Sequence, residues 1–518
     1  MAFTPYKLWI AGREHDGKGD LIPIEDPSTG KVFAQCQSAS SADVEEAVQN
    51  AHNTFRSGVW SRCERHLRAD VLEKAAELLT ANLPGLIALE VQQTGRAIRE
   101  MRAQVPSLIK WFKYYAALVR TEERPVLPTT GKLHNWIDRR PLGVVVQITP
   151  FNHPLLIAVK KLAPALAAGN CVILKPSELT PLTSLELGKI LKEAGLPDGV
   201  FTVLPGYGPT TGRALVSHPL VKKVDVTGGT PSGRAIGAIA GGNLARFTAE
   251  LGGKAPVIVT SNANLELAVN GVAFGSFIAS GQTCVAATRI IIHESIFEQF
   301  VEKITAKAKS IEQRIGAPSN PDSMMGPIIS QKQLSHVSDL VESAKSTGLR
   351  VATGGSRMTG TSPLDNHDFS RGYFYPPTIL IHNPSPTSSP ISTHRIWNEE
   401  AFGPIIILTP YTTSTQALIL ANDSEFGLGA AIWTTDLSEA YRISEQIESG
   451  ICWVNTHHRN DPSSPWGGIG SSGVGSENGV DAYRAYTTAK STIVNYAGEE
   501  EAKGEDWFRE SEGEVRYG

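Results

Sequence analysis

Cys284 closes a run of small residues, Phe277-Ile278-Ala279-Ser280-Gly281-Gln282-Thr283-Cys284, in which backbone is free to approach a ligand. Earlier in the chain, Ala249-Glu250-Leu251-Gly252-Gly253-Lys254 supplies a carboxylate beside two glycines. Together the two suit a two-step acyl chemistry. A thiolate attacks a carbonyl carbon, and a carboxylate later activates the water that cleaves the thioester. The remaining cysteines, Cys36, Cys63, Cys171 and Cys452, bring the total to five with no CxxC spacing, which argues against a disulfide framework or a zinc site. His457-His458 is the single adjacent pair among thirteen histidines, and no cluster has metal-ligand spacing, so no metal is expected.

Five further segments carry polar groups on turns: Thr149-Pro150-Phe151-Asn152, Lys175-Pro176-Ser177-Glu178, Thr227-Gly228-Gly229-Thr230-Pro231-Ser232-Gly233, Glu399-Glu400-Ala401-Phe402-Gly403-Pro404, and Pro465-Trp466-Gly467-Gly468-Ile469-Gly470-Ser471-Ser472-Gly473. Each alone has a bland reading. An Asn after a strand is an ordinary cap, a Lys and Glu three apart are a solvated pair, and a glycine-rich turn that is not GxGxxG is any tight turn.

In their order, from about Pro141 to Gly473, these segments resemble the signatures of the NAD(P)-dependent aldehyde dehydrogenase superfamily. The resemblance implies roles residue by residue. Cys284 is the nucleophile, Glu250 the base that hydrolyses the thioester, and Asn152 an oxyanion donor alongside the Cys284 N–H. Ile148, Thr149, Pro150, Phe151, Lys175, Ser177, Glu178, Gly208, Thr227, Gly228, Gly229, Gly233, Leu251, Gly252, Glu400 and Phe402 are implied cofactor contacts. Val226 and Gly229 stand where an aromatic and a serine are common, and Trp466 and Gly470 where phenylalanine and lysine are frequent. NAD is the implied cofactor, with NADP the alternative: Glu178 would repel a 2′-phosphate and Lys175 would attract it. A cysteine hydrolase without redox chemistry, and a binding protein on the same scaffold, are the competing classes.

The elements that must position these residues follow from periodicity. Residues 42–55 place Val44, Ala47, Val48, Ala51 and Phe55 on one helical face, with Ser41 as N-cap, and a second amphipathic helix carries Val71, Leu72, Ala75, Leu78, Leu79 and Leu83. From Gly143, short β-branched runs at 144–148, 172–174, 200–204 and 221–226 alternate with helices and predict a parallel sheet, whose ligands bind at the strands' carboxyl ends. A second alternating region runs from Pro256 through 289–293, Val351, 379–381 and 404–408 to 453–455, with 382–392 a loop. The resemblance implies that these elements build an α/β architecture: a Rossmann-like cofactor-binding domain (1–122, 142–253 and 456–482), an α/β catalytic domain (254–455), and a small β oligomerisation element. The segments 132–140 and 487–496, within 123–141 and 483–498, alternate like half-buried strands, a surface hairpin or an exposed edge that pairs with another subunit, and the resemblance assigns them to that element. The charged tail 499–518 has little apolar surface.

The chain has 518 residues, 41% apolar and 19% charged, with a net charge of -4 and no basic block that could track a phosphate backbone, so nucleic acid is not an expected partner. The most apolar stretch, 155–174, is broken by Lys160, Lys161, Pro164 and Asn170, and no membrane partner is expected. Residues 1–12 show neither a secretory nor a transit pattern, so a cytoplasmic location is the expectation; the resemblance implies a homodimer or homotetramer acting on a small-molecule aldehyde. By the resemblance, substrate polarity turns on His153, Lys160 and the loop 456–464, which includes His457, His458 and Arg459 and has no phenyl or indole ring. Either Lys160 and Arg459 point to solvent while the histidines pack, or some of them converge on the substrate tunnel and pair with a carboxylate or hydroxyls.

Overall fold

A computed structural model describes residues 3–384, 389–503 and 508. Five parallel strands form the heart of an eight-stranded sheet, in the spatial order Phe201–Val203, Cys171–Lys175, Val144–Ile148, Val221–Thr227, Arg246–Glu250. In chain sequence that order is third, second, first, fourth, fifth, so the winding reverses between Val144–Ile148 and Val221–Thr227. Such a reversal opens a crevice at the strands' carboxyl ends. Val144, Val145 and Val146, and Val172, Ile173 and Leu174, are fully buried because helices such as Pro154–Ala167 and Leu182–Glu193 cover the sheet.

A second sheet of seven strands holds Arg350–Thr353, Thr378–Ile381, Ile405–Tyr411, Ala287–His293, Ala255–Val259, Gly429–Trp433 and Ile451–Val454, parallel apart from the first pair. Gly429–Trp433 has no counterpart in the sequence reading. Its residues, GAAIW, are small rather than β-branched, and packing against both neighbours makes it a strand. A third sheet pairs Leu133–Pro141 antiparallel with Thr487–Asn495 over their full length and adds Val126–Leu127.

Two boundaries differ from expectation. The first helix is capped by Ser40 rather than Ser41: the Ser40 hydroxyl accepts the Asp43 N–H at 3.3 Å while the Asp43 carboxylate accepts the Ser40 N–H at 2.8 Å. Leu83 does not continue the second helix, which ends at Ala81, but opens the next one, Leu83–Thr94. In the loop 382–392, Ile391–Thr393 forms a short turn of 3-10 helix, and residues 385–388 lie outside the described residues. Of the charged tail, Glu499–Lys503 is helical, and 504–507 and 509–518 lie outside the described residues.

Asn170 joins the small sheet to the first large one. Its buried side-chain oxygen accepts the N–H groups of Leu142 and Gly143 at 2.7 and 3.1 Å, and its amide donates to the Tyr486 and Ala165 carbonyls at 2.9 and 3.2 Å. Asn170→Ala would strand these buried backbone groups, and should lower stability by roughly 3 kcal/mol in chemical denaturation. A loss below about 0.5 kcal/mol would mean the joint is held by something else.

Candidate active site

The parallel register lines up the candidate residues across one sheet edge. Ile148 stands opposite both Lys175 and Val226, and Thr227 opposite Glu250. After these strand ends the chain turns over a cavity of about 1130 Å³ that brings together Pro150, Phe151, Asn152, Thr227, Gly228, Gly229, Glu250, Leu251, Gly252, Cys284, Glu400 and Phe402. Ile148, Thr149, Lys175, Ser177, Glu178, Gly208 and Gly233 do not line it. Gly233 serves packing, since a Cβ there would meet Leu251 at 2.3 Å.

Cys284 is placed by strained backbone. Ala279, Ser280 and Gly281 adopt left-handed φ angles of 53°, 57° and 71°, a region that costs a side-chain-bearing residue about 1 kcal/mol or more. The kink is pinned on all sides. The Glu100 carboxylate accepts the Ala279 N–H at 3.2 Å, the Ser280 hydroxyl donates to the Gly326 carbonyl at 2.7 Å, and Gln282 accepts the Ile329 N–H at 3.0 Å. Gly253 is the matching concession from the other side, because a Cβ there would lie 2.1 Å from the Cys284 carbonyl oxygen. Asn152 donates one amide N–H to the Gln282 carbonyl at 2.7 Å, which orients the side chain and leaves its second N–H for a ligand.

Glu250 ends its strand buried, and neither carboxylate oxygen has a hydrogen-bond partner. Burial, reinforced by the negative Glu477, pushes its carboxyl well above the ordinary range against the pull of Lys160 and Lys161. Burial likewise drives the Cys284 thiol up, with Glu250 and Glu400 acting in the same direction. Glu400 accepts the Gly253 N–H at 2.8 Å and is raised by burial to about 7. A Cβ on Gly252 would strike the same carboxylate at 2.5 Å. Phe402, itself at φ 48°, meets Phe151 edge-on at 5.7 Å.

The same sheet edge fits a dinucleotide. The helix Thr230–Gly242 starts at Gly229 with no side chain capping it, and nothing comes closer than 3.9 Å to where a Cβ would stand on Gly228 or Gly229. Around Gly208 the same space is empty to 4 Å. The buried Thr149 hydroxyl lacks a partner, and the buried Lys175 ammonium donates only to its neighbour's carbonyl at 3.0 Å, 4.0 Å from Glu178.

Sequence reasoning missed Glu477. It lines the cavity, binds Lys160 at 2.8 Å and Lys161 at 2.5 Å, and accepts the Thr227 hydroxyl at 3.3 Å, while Lys161 also pairs with Asp225. Burial opposes its charge, but the two ammoniums win and hold its carboxyl down at about 2. The signal was half present: two lysines inside the apolar helix Pro154–Ala167 demand buried anions, yet nothing in Gly475-Ser476-Glu477-Asn478-Gly479 marks which residue answers.

The substrate-side expectations also change. Lys160 does not point to solvent; it is 2% exposed, paired with Glu477 and 4.7 Å over the Trp466 ring. His153 contacts Arg96 at 2.6 Å and is kept neutral by burial and that guanidinium. His457 and His458 join through their Nδ1 atoms at 2.7 Å, and burial lowers His458 to about 3. Arg459 is exposed at the rim. The rings absent from the 456–464 loop come from elsewhere, as Trp111, Phe274, Phe277 and Trp466 line the cavity. Among the described residues no group of three or more His, Cys, Asp or Glu could hold a metal, and no helix is long and apolar enough to cross a membrane.

Glu477→Gln would leave two buried ammoniums with Asp225 alone, and should destabilise the protein by about 3 kcal/mol or more at neutral pH. Because the folded carboxyl lies below its ordinary 4.5, that contribution is complete above 4.5 and disappears as pH falls toward about 2. The stability gap between wild type and variant, measured by denaturation across that window, should therefore narrow with acid; a gap that stays constant contradicts the assignment.

The model of the aldehyde dehydrogenase family matches residues 13–492. A curated relative, (Z)-2-((N-methylformamido)methylene)-5-hydroxybutyrolactone dehydrogenase of Acinetobacter baylyi, is 35% identical over 486 residues, covering 94% of this chain and 96% of the relative. Among solved structures, PnpE in complex with nicotinamide adenine dinucleotide superposes with a TM-score of 0.90 at 37% identity, over 96% of this chain and 99% of that one. Betaine aldehyde dehydrogenase of Staphylococcus aureus in complex with NAD+ gives 0.90 at 31% identity, over 95% of each chain. A family match over nearly the whole length, with the cysteine, the glutamate and the asparagine gathered in one cavity, places the chain in the aldehyde dehydrogenase family.

Proposed function

We propose that the chain oxidises an aldehyde to the carboxylic acid with reduction of NAD, through a thioester on Cys284 that Glu250 hydrolyses. The observation that carries this reading is a buried carboxylate with no partner in the same cavity as a cysteine and a half-engaged amide, at the winding reversal of a parallel sheet. NAD would lie along the sheet edge. Lys175, Ser177 and Glu178 would meet the adenosine ribose, Thr227 to Gly229 and the helix behind them the phosphates, and Glu400 and Phe402 the nicotinamide half.

The chain's own chemistry follows from the geometry. Cys284 releases its thiol proton to water, and Sγ adds as the thiolate to the aldehyde carbon. The oxygen, now an alkoxide, is stabilised by the second N–H of Asn152 and the Cys284 backbone N–H, at about 3 kcal/mol for such a donor. NAD, when bound, supplies the acceptor for the hydride that leaves that carbon. Glu250 then takes a proton from water, the hydroxyl joins the thioester carbon, and the C–S bond breaks to return the thiolate. A carboxyl raised by burial suits that work, since a stronger base takes a proton from water more readily. A glutamate at this position also opposes acyl transfer to coenzyme A, which requires that water be held off.

Glu178 stands 4.0 Å from Lys175, so the lysine already has a carboxylate to neutralise it and is poorly placed to welcome a 2′-phosphate. The domains are those drawn from the sequence: cofactor-binding in 1–122, 142–253 and 456–482, catalytic in 254–455, with 123–141 and 483–498 joining subunits. The open edge of Thr487–Asn495, with Ile493 and Val494 exposed, suits pairing in a homodimer or homotetramer. A cytoplasmic site of action accords with this reading.

Absorbance at 340 nm during aldehyde oxidation tests the roles together. Cys284→Ala should form no acid, and Glu250→Gln should give one burst of NADH per site and then stall, with NAD exceeding NADP in kcat/KM for the wild type. Steady turnover by the glutamine variant at the wild-type rate would remove Glu250 from the mechanism.

A further inference from the structure

The substrate side of the cavity ends in a rim of cations. Six positive side chains line the cavity, Arg96, Arg99, Lys160, Lys307, Arg314 and Arg459. Two are neutralised inside it, Arg96 by the Glu100 carboxylate at 2.9 Å and Lys160 by Glu477 at 2.8 Å. The other four form no ion pair among the described residues. Arg99 touches the Met324 sulfur, Arg314 turns back on Ser310 at 3.0 Å, and Arg459 contacts the Thr456 hydroxyl at 3.3 Å.

The carboxylates that line the cavity cannot balance them. Glu100 and Glu477 are the partners just named, Glu400 is tied to the Gly253 N–H on the cofactor side, and burial holds Glu250 toward its neutral form. The four cations come from the helix Ile98–Gln104, the helix Phe297–Glu312, the turn after it and the 459 loop. None of these builds the cofactor edge. Between rim and Cys284 the walls are Trp111, Phe274, Phe277 and Trp466, while His153 and the His457–His458 pair are neutral.

Resting on the aldehyde-oxidation reading above, we propose that the substrate is an aldehyde whose far end is anionic, a carboxylate or a phosphate ester, joined to the reacting carbon by an apolar or unsaturated spacer. The aldehyde meets Cys284, the spacer lies between the aromatic walls, and the anion reaches the rim. Arg314 and Arg459 can present guanidinium forks to it, while Lys307 and Arg99 add charge that draws the anion toward the mouth. This places the charge recognition at the rim and not at Lys160, whose own charge is already matched.

The test is a matched panel with saturating NAD: an alkyl aldehyde, the ω-oxo carboxylate of equal length and the corresponding phosphate ester, each at low and high ionic strength. At low salt an anionic aldehyde should exceed the alkyl one in kcat/KM by about tenfold or more. Raising the salt from roughly 0.01 M to 1 M contracts the Debye length from about 30 Å to about 3 Å and should erase most of that advantage while leaving the alkyl aldehyde unmoved. Arg314→Gln, Arg459→Gln and Lys307→Gln should each lower kcat/KM for the anionic aldehyde roughly two- to fivefold, chiefly through KM, and spare the alkyl aldehyde. Whichever anion wins, carboxylate or phosphate, supports the proposal. Equal use of alkyl and anionic aldehydes, or variants that slow both alike, overturns it while the enzyme remains an aldehyde dehydrogenase. No NADH from any aldehyde would overturn the functional reading, and this proposal with it.

Discussion

Two ammonium groups, Lys160 and Lys161, are buried side by side in the helix that follows Asn152, and the site depends on how they are neutralised. Burying an unpaired charge costs several kcal/mol, so each lysine must find a carboxylate. Asp225 comes from a central strand of the first sheet, and Glu477 from the chain returning after the second sheet. The same return lays Gly473–Val474 against the end of the Glu250 strand, with Gly473 opposite Glu250 and Val474 opposite Ala249. The charge balance therefore fixes the segment that flanks Glu250. It also commits both lysines elsewhere, which leaves Glu250 buried with no cation of its own. An unpaired buried carboxylate is a liability in a structural protein, but burial also raises its proton affinity, which suits the base role proposed for it.

The second constraint is steric. The cavity that holds Cys284, Glu250 and Asn152 needs backbone that side-chain-bearing residues adopt only at a cost, and the chain meets this with a left-handed kink at Ala279 to Gly281 and with glycines at 252 and 253. A Cβ on Gly281 would lie 2.2 Å from the Gly403 carbonyl, one residue after Phe402. The cysteine loop and the loop of Glu400 and Phe402 are thus interlocked, so Cys284 and Phe402 cannot shift independently. Strain of this kind persists only where the surroundings over-determine it, and the hydrogen bonds from Glu100, Ser280 and Gln282 do so.

Much of this was legible in the sequence because it is local. Runs such as VVVQI and CVILK followed by turns and helices specify a parallel sheet, and the polar residues after them fall at its carboxyl edge, as such sheets require. The paired segments 132–140 and 487–496 were visible by their alternation, although their partnership across the chain was not. What escaped were interactions between residues far apart in sequence. Glu477 sits in a glycine-rich stretch with no periodicity, and its importance appears only when the fold carries it to Lys160. For Lys160 the sequence leaves solvent and tunnel both open, because its anionic partner lies far away along the chain. The strand Gly429–Trp433 was invisible since its conformation is set by neighbours and not by its own side chains.

If the buried, unpartnered carboxylate is the feature around which the site is built, its protonation must govern the breakdown of the acyl-enzyme. The most direct measurement is acid-quench mass spectrometry of the peptide bearing Cys284 after a single turnover with aldehyde and NAD, following loss of the acyl group at a series of pH values. The account predicts a thioester on Cys284 whose decay accelerates with rising pH through a midpoint well above that of an ordinary carboxylate. An acyl group found on no residue at any pH, or one that decays at a rate indifferent to pH across that range, would contradict it.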